Sequence, residues 1–460
     1  MDDAVREGAG KACRVPGLVN CRSALLNIAA LRSNDLTRFA TANDASAQQC
    51  FVNFYISLDA RKNRSKLIPR RVPGEARVQQ GKRDSDMTKT ASRILAGLIV
   101  SSAIASPAMA QSSGDIIPGS YICVFNAKAV NKGAVVSEAK RAANAAGGQV
   151  GHVYTSTIRG FSTHMNAKAV AQMQARNPSI KYCEADRVIA LGPVRIAKGK
   201  PGGGSSAPAQ TTPWGIDRVN GGAAGSYATA WVIDSGIDGS HPDLNVDANR
   251  SASFLPRDSS WDDQNGHGTH VAGTIAALDN SIGVIGIAPG APVVAVRVLD
   301  RRGSGSYSGV IAGVDYVGAN GKAGDVANMS LGGPTDTALN EAVIAAASKG
   351  VRFTLAAGNE SDNAANHSPA SANGANVYTV SAFAQGDTWA SFSNYGNPPI
   401  DYAEPGVSIT STYMNEGYAT LSGTSMAAPH LAGILLLGPV RSGGTVSGDP
   451  AGPADTIGIH

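Results

Sequence analysis

Over residues 213–437 short apolar runs alternate with longer runs of helical character, and no other feature narrows the possible folds as far. The strand-like runs are ATAWVID, PVVAVRVLD, VANMSLGG, VRFTLAAG and VYTVSAF; the helix-like runs are HVAGTIAAL, SGVIAGVDYVGAN, ALNEAVIAAASKG and SMAAPHLAGILLL. Continuously apolar strands are buried on both faces, and intervening helices supply the crossovers that parallel neighbours need. The pattern predicts an α/β domain, a parallel sheet covered by helices on both faces. In such sheets functional groups gather at the carboxyl ends of the strands.

Composition agrees with a large core joined by tight turns, since 43% of the 460 residues are hydrophobic, 16% are charged and 54 are glycine. A net charge of +4 is small for this length and argues against a nucleic-acid partner. Cys13, Cys21, Cys50, Cys123 and Cys183 all precede the α/β region. That region therefore has no cysteine nucleophile, disulfide framework or cysteine-based zinc site.

Upstream, residues 87–110 (MTKTASRILAGLIVSSAIASPAMA) read as a secretory signal peptide: Met87, basic Lys89 and Arg93, an apolar run from Ile94 to Ala105, then Ala108-x-Ala110. The run is well short of the roughly 20 residues that span a bilayer, so the mature form is expected to be secreted, extracellular or periplasmic, with no membrane span. A signal peptide acts at an N-terminus, and no methionine lies between Met1 and Met87. Translation is thus expected to begin at Met87, with residues 1–86 a mis-assigned or disordered extension. From 116 to 192 the order YICVF, a helix around 134–146, QVGHVY, GFSTHM, a helix around 167–176 and IKYCEAD predicts a small α+β, ferredoxin-like domain. Residues 193–212, rich in Gly, Ser, Pro and Lys, read as a flexible linker.

Three segments carry the chemistry: VIDSGID, GHGTHVAG and GTSMAAPH. Asp234 closes a strand just before the turn Ser235-Gly236, leaving its carboxylate at the sheet edge to accept an imidazole N–H. His267 and His270 open a helix whose positive end favours neutral imidazole, the form a general base requires. Their spacing, with no intervening Glu, does not fit a zincin metal pair. Ser425 opens another helix, where the dipole favours developing negative charge, but a serine needs a base within reach. Ala427 breaks the G-x-S-x-G elbow of lipases and esterases, and Pro429 removes a backbone donor, so a distorted first helical turn is expected. Taken singly these residues read as a turn aspartate and a helix cap; the order Asp, His, Ser gives them weight. Gly303-Ser304-Gly305 and Ser330-Leu331-Gly332 are glycine-rich edges able to bind an extended polypeptide as an added strand.

From about Trp214 to Leu437 the three motifs resemble the subtilisin family, and VRVLDRRGSGSYSGVIAGVDYV, NHSPAS and SFSNYG resemble its proteinase K-like branch. The resemblance implies a subtilisin-like fold and a serine endopeptidase with Asp234, His267 and Ser425 as triad, Asn359 as oxyanion donor and His270 as a packing neighbour. It further implies a first specificity pocket walled by Ala356, Ala357 and Gly358, with His367 near its floor. In that branch a calcium ion is held by an aspartate after SFSNYG and by carbonyls, which would match Asp401, Ala375 and Val377. GFSTHM and NPSIKYCEAD resemble the inhibitor-type propeptide of subtilisins, which chaperones the protease and blocks its cleft. In that fold Cys123 and Cys183 lie on neighbouring strands, as a disulfide or as two buried thiols. The implied product is a monomeric protease made as a zymogen, acting on polypeptides without a cofactor for its chemistry. The rival readings are an inactive binding module on the same scaffold and an esterase.

Overall fold

A computed structural model describes residues 112–192, the backbone of 195–196, and 208–460. The extension, the signal peptide, the three N-terminal cysteines and most of the linker lie outside the described residues. Among the described residues no helix is long and apolar enough to cross a membrane.

The N-terminal part follows the predicted order: β1 (Ile116–Phe125), α1 (Val135–Ala145), β2 (Gln149–Tyr154), β3 (Gly160–His164), α2 (Ala167–Arg176) and β4 (Ile180–Ala190). Its helices pack Val135, Ala139, Ala142 and Met173 against Phe125 and Phe161 of the sheet. Cys123 of β1 stands directly opposite Cys183 of β4, and the two form a disulfide. This resolves the alternative left open by the sequence.

The remainder comprises β5 (Arg195–Ile196), α3 (Trp214–Arg218), β6 (Ala230–Asp234), β7 (Ala252–Ser253), α4 (His267–Ala276), β8 (Val293–Arg297), β9 (Ser304–Ser306), α5 (Tyr307–Asn320), β10 (Val326–Met329), α6 (Thr337–Ala347), β11 (Arg352–Ala356), β12 (Val377–Ala384), β13 (Ile400–Pro405), β14 (Ile409–Tyr413), β15 (Gly417–Ser422), α7 (Thr424–Leu437), β16 (Arg441–Thr445) and β17 (Thr456–Ile459). The main sheet runs β16-β17-β13-β12-β11-β10-β6-β8-β7. Every neighbouring pair is parallel except β16 with β17.

Period-two alternation divides each strand between two cores. Trp231, Ile233, Val294, Val296 and Phe353 face α5 and α6 through Val310, Val314, Leu339 and Val343. Ala230, Val232, Val293, Ala295 and Val380 face α4 and α7 through Val271, Ile275, Met426 and Leu431. The small residues on this second face let α4 and α7 lie close to the sheet and to each other. The C-terminal tail, which the sequence left unread, extends the sheet: Ile457 pairs with Ala403, and the His460 N–H reaches Val219 O at 3.0 Å.

The N-terminal sheet continues into the larger part, because β4 pairs antiparallel with β9. Carboxylates tie the two together at helix N-termini, where unpaired N–H groups await acceptors. Asp186 accepts from the Ser308 N–H and hydroxyl at the start of α5, and Glu184 accepts from Ala338 N at the start of α6. In return Asp315 of α5 accepts three backbone N–H groups from Thr155, Ser156 and Thr157.

Candidate active site

Asp234 is the last residue of β6 and is fully buried. Its Oδ1 accepts the Ser235 N–H at 2.7 Å, and both carboxylate oxygens face His267 Nδ1, at 2.8 and 2.9 Å. The proton on Nδ1 is thereby fixed, leaving Nε2 as the basic nitrogen. Nε2 is buried and has no hydrogen-bond partner among the described residues.

His267 is the first residue of α4, and the loop before it explains why the ring arrives there. Buried Asp263 accepts N–H groups from Asn265, Gly266 and Thr269 and hydroxyls from Ser235 and Thr269, so it caps α4 and ties the helix to β6. Burial raises the Asp263 carboxyl above its ordinary value, and the hydrogen bonds from Gly266, Thr269 and Asn265 oppose the shift. Gly268 stands where α4 crosses the β6 turn, and a side chain there would run into the Gly236 carbonyl. Asp263 was missed by sequence reasoning, although an acid just ahead of an apolar helix is a readable capping signal.

His270 lies one turn deeper, fully buried, with Nε2 donating to Ile409 O at 3.1 Å and Ala419 O at 3.2 Å. Burial pushes its pKa down to about 3. It packs α4 against β14 and β15 and stands apart from the chemistry, as the resemblance implied.

Ser425 is the second residue of α7 and is 3% exposed. The helix runs on through Pro429. Pro429 cannot donate to Ser425 O, and the Ser330 hydroxyl does so instead at 2.8 Å. The Ser425 hydroxyl in turn donates to Ser330 O at 3.2 Å rather than to His267. The aspartate–imidazole link is formed and the imidazole–hydroxyl link is open. Catalytic hydrogen bonds are often loose in free enzymes, and rotation about the Ser425 Cα–Cβ bond redirects the hydroxyl.

Asn359 follows β11. Its Oδ1 accepts the Thr424 N–H at 2.8 Å and the Thr424 hydroxyl at 3.0 Å. With the oxygen so held, Nδ2 is the end of the amide left to face the cleft. The same cavity is lined by Leu331, Gly332, Ala356, Ala357, Gly358, Asn359, His367 and Ser425, which gathers the predicted pocket residues in one place. His367 Nε2 lies 3.2 Å from Asp362, a partner that the sequence did not suggest. Gly303, Ser304 and Gly305 form the opposite edge of the cleft, β9 and the residue before it.

The predicted calcium residues lie away from this cleft, at the start of β12 and β13. Asp401 Oδ2 accepts the Thr379 N–H at 2.9 Å. Among the described residues no group of three or more His, Cys, Asp or Glu side chains forms a metal site.

Sheet, cleft and buried aspartate–histidine hydrogen bond define the class, a serine-type hydrolase on a parallel α/β scaffold. The Subtilase family profile matches residues 228–438. M-protease of Shouchella clausii (strain KSM-K16) is 42% identical over 288 residues, 61% of this chain and 69% of that protein. Subtilisin Savinase of Lederbergia lenta is 48% identical over 236 residues, 50% of this chain and 84% of the relative. The crystal structure of a cold adapted subtilisin-like serine proteinase aligns at 39% identity with a TM-score of 0.47, over 53% of this chain and 96% of the other. The chain belongs to the subtilase family of serine-type endopeptidases.

Proposed function

We propose that this chain is a secreted endopeptidase that hydrolyses polypeptides through an acyl-enzyme on Asp234, His267 and Ser425. The observation that carries the reading is the buried Asp234–His267 pair, with both carboxylate oxygens within 2.9 Å of Nδ1. Ser425 attacks the scissile carbonyl while His267 Nε2 takes the hydroxyl proton and later delivers it to the leaving amine. Asp234 stabilises the imidazolium. The Ser425 N–H and Asn359 Nδ2 stabilise the oxyanion, in a site where exclusion of water strengthens each contact.

The same reading makes the chain a zymogen: residues 87–110 direct export, 116–192 act as an intramolecular inhibitor and chaperone, and 193–212 are the linker cut on maturation. Burial of the Asp234–His267 pair beneath a cleft edged by β4 supports it. The mature enzyme is read as a monomer. Asp401, with the carbonyls of Ala375 and Val377, is proposed to hold a structural calcium ion. Thr379 binds Asp401 and lies two residues beyond Val377 on β12, so the Val377 carbonyl faces the same strand edge, and the oxygen-only donor set suits that cation. The ion would stabilise the fold and take no part in the chemistry.

Digestion of casein, measured beside hydrolysis of a small ester, tests the function. Wild type should cleave both and Ser425→Ala neither. Ester cleavage alone, or equal casein cleavage by the variant, would overturn the reading.

A further inference from the structure

Both members of the buried aspartate–imidazole pair are reached from one residue outside the triad, Arg297. It ends β8 directly opposite Asp234 of β6, and alternation along the two strands puts both side chains on the α4 face of the sheet. Arg297 is 1% exposed, and a buried guanidinium is tolerated only where its donors find acceptors. Two of those acceptors lie on the loop between β7 and α4. Nη1 donates to Ser260 O at 2.8 Å and faces Asp258 Oδ2 at 3.1 Å, while Nε donates to Leu299 O at 3.4 Å. The main chain of Arg297 holds the start of the same loop, accepting the Phe254 N–H at 2.8 Å. The gripped segment is the one that delivers His267. After Ser260 comes Trp261, whose carbonyl lies so close to Gly236 that a side chain there would strike it. Asp262 then accepts the Gly239 N–H at 3.2 Å, and the Asp263 N–H donates to Ile237 O at 3.2 Å. The Asp263 carboxylate takes the Gly266 and Thr269 N–H groups, so the first turn of α4, and the imidazole on it, follows the placement of 258–263.

On the strength of the proposed protease activity, we infer that Arg297 is a positioning residue of the triad. Its guanidinium fixes the 258–263 segment, and thereby the approach of the His267 ring to the Asp234 carboxylate; it touches neither substrate nor reacting atoms. The planar fork suits this task, because one rigid group holds Ser260 O, Asp258 Oδ2 and Leu299 O in fixed directions, which a flexible amine does not. A misplacement of about 1 Å in a reacting group costs on the order of 10² in rate, so a loosened loop should show in turnover. Substrate binding should change little, since the cleft edge at Gly303–Gly305 is held by Asp300, whose Oδ1 accepts the Ser304 N–H at 3.0 Å.

The test compares wild type, Arg297→Met and Arg297→Lys, each expressed from the full chain, on one peptide substrate. The low-field proton resonance of the Asp234–His267 hydrogen bond and the melting temperature are recorded on the same samples. Arg297→Met should lower kcat about ten- to a hundredfold with KM changed by less than about twofold, and should weaken the resonance. Arg297→Lys, which keeps a donor for Ser260 O, should recover part of both. If the methionine variant does not fold, Arg297→Gln, which keeps one donor and buries no charge, takes its place with the same expectation. A folded variant with kcat and resonance unchanged, whatever its melting temperature, overturns this inference and leaves the protease reading standing, as does a loss confined to KM. Folded wild-type protein that never cleaves the peptide overturns the protease reading itself.

Discussion

Asn359 can serve an oxyanion because its carbonyl oxygen is already committed. The Thr424 N–H and hydroxyl at 2.8 and 3.0 Å orient the amide, so Nδ2 faces the cleft without reorganisation at the moment of reaction. Asn359→Ala is expected to lower kcat by about 10²–10³ with KM little changed, a magnitude known for subtilisin rather than derived from this chain. Thr424→Val removes one of the two orienting bonds and should cost kcat about tenfold or less, the value of a hydrogen bond near 1 kcal/mol. Steady-state kinetics on one peptide substrate separate the two; a change confined to KM would contradict the assigned role. At this scale the residues gathered at the cleft were legible by two routes, Asp234, His267 and Ser425 through the order of three short motifs and Asn359 only through the family resemblance. The sequence did not expose the tie from Asp263 to Ser235 or the second role of Ser330, because those partners meet only by the crossing of α4 over β6 and of α7 beside β10.

Helix α7 carries a proline that would ordinarily weaken or kink it, and the neighbouring strand end compensates. Ser330 supplies the hydroxyl for the Ser425 carbonyl that Pro429 leaves without a donor. Ser330→Ala should therefore destabilise the enzyme by about 1–3 kcal/mol, the cost of a buried acceptor left unpaired. In a Pro429→Ala background the restored N–H can take that carbonyl, so the same substitution should cost less. Chemical denaturation of the four proteins in this double-mutant cycle measures the coupling, and purely additive effects would contradict the account. The main helices and the central strands were legible from their apolar periodicity, α2 to its terminal residues, whereas α3, β7 and β13 to β17 were not read. The donor that stands in for the missing Pro429 N–H was not legible, since it comes from a residue 95 positions away.

The interface between the N-terminal α+β part and the protease core buries acids of like charge. Asp336 caps α6 through Leu339 N, and loss of water, then the nearby charge of Glu184, push its carboxyl up to about 7; burial raises Glu184 as well. Asp186 and Arg187 are the other charged groups acting on Asp336. A carboxyl held above its free value of about 3.9 favours association while protonated. That contribution is complete below the free value, declines as pH rises, and is gone above about 7. Affinity of the isolated N-terminal part for the mature enzyme should accordingly be weaker at pH 8 than at pH 5; tighter binding at pH 8 would contradict this origin. The proposed calcium ion acts on the whole fold: chelator should lower the melting temperature and added calcium restore it, whereas an unchanged value argues against the Asp401 site. The α/β sheet and the α+β part were both legible as wholes, while the docking of one strand into the cleft depends on residues 188–192 meeting edges more than a hundred positions away. All of this rests on an activated Ser425. The most direct measurement is labelling of the mature enzyme, and of its His267→Ala variant, with a fluorophosphonate read by peptide mass spectrometry. An adduct on Ser425 that forms rapidly in wild type and is largely lost in the variant is predicted; folded wild-type protein that stays unlabelled, or is labelled on another residue, would contradict the account.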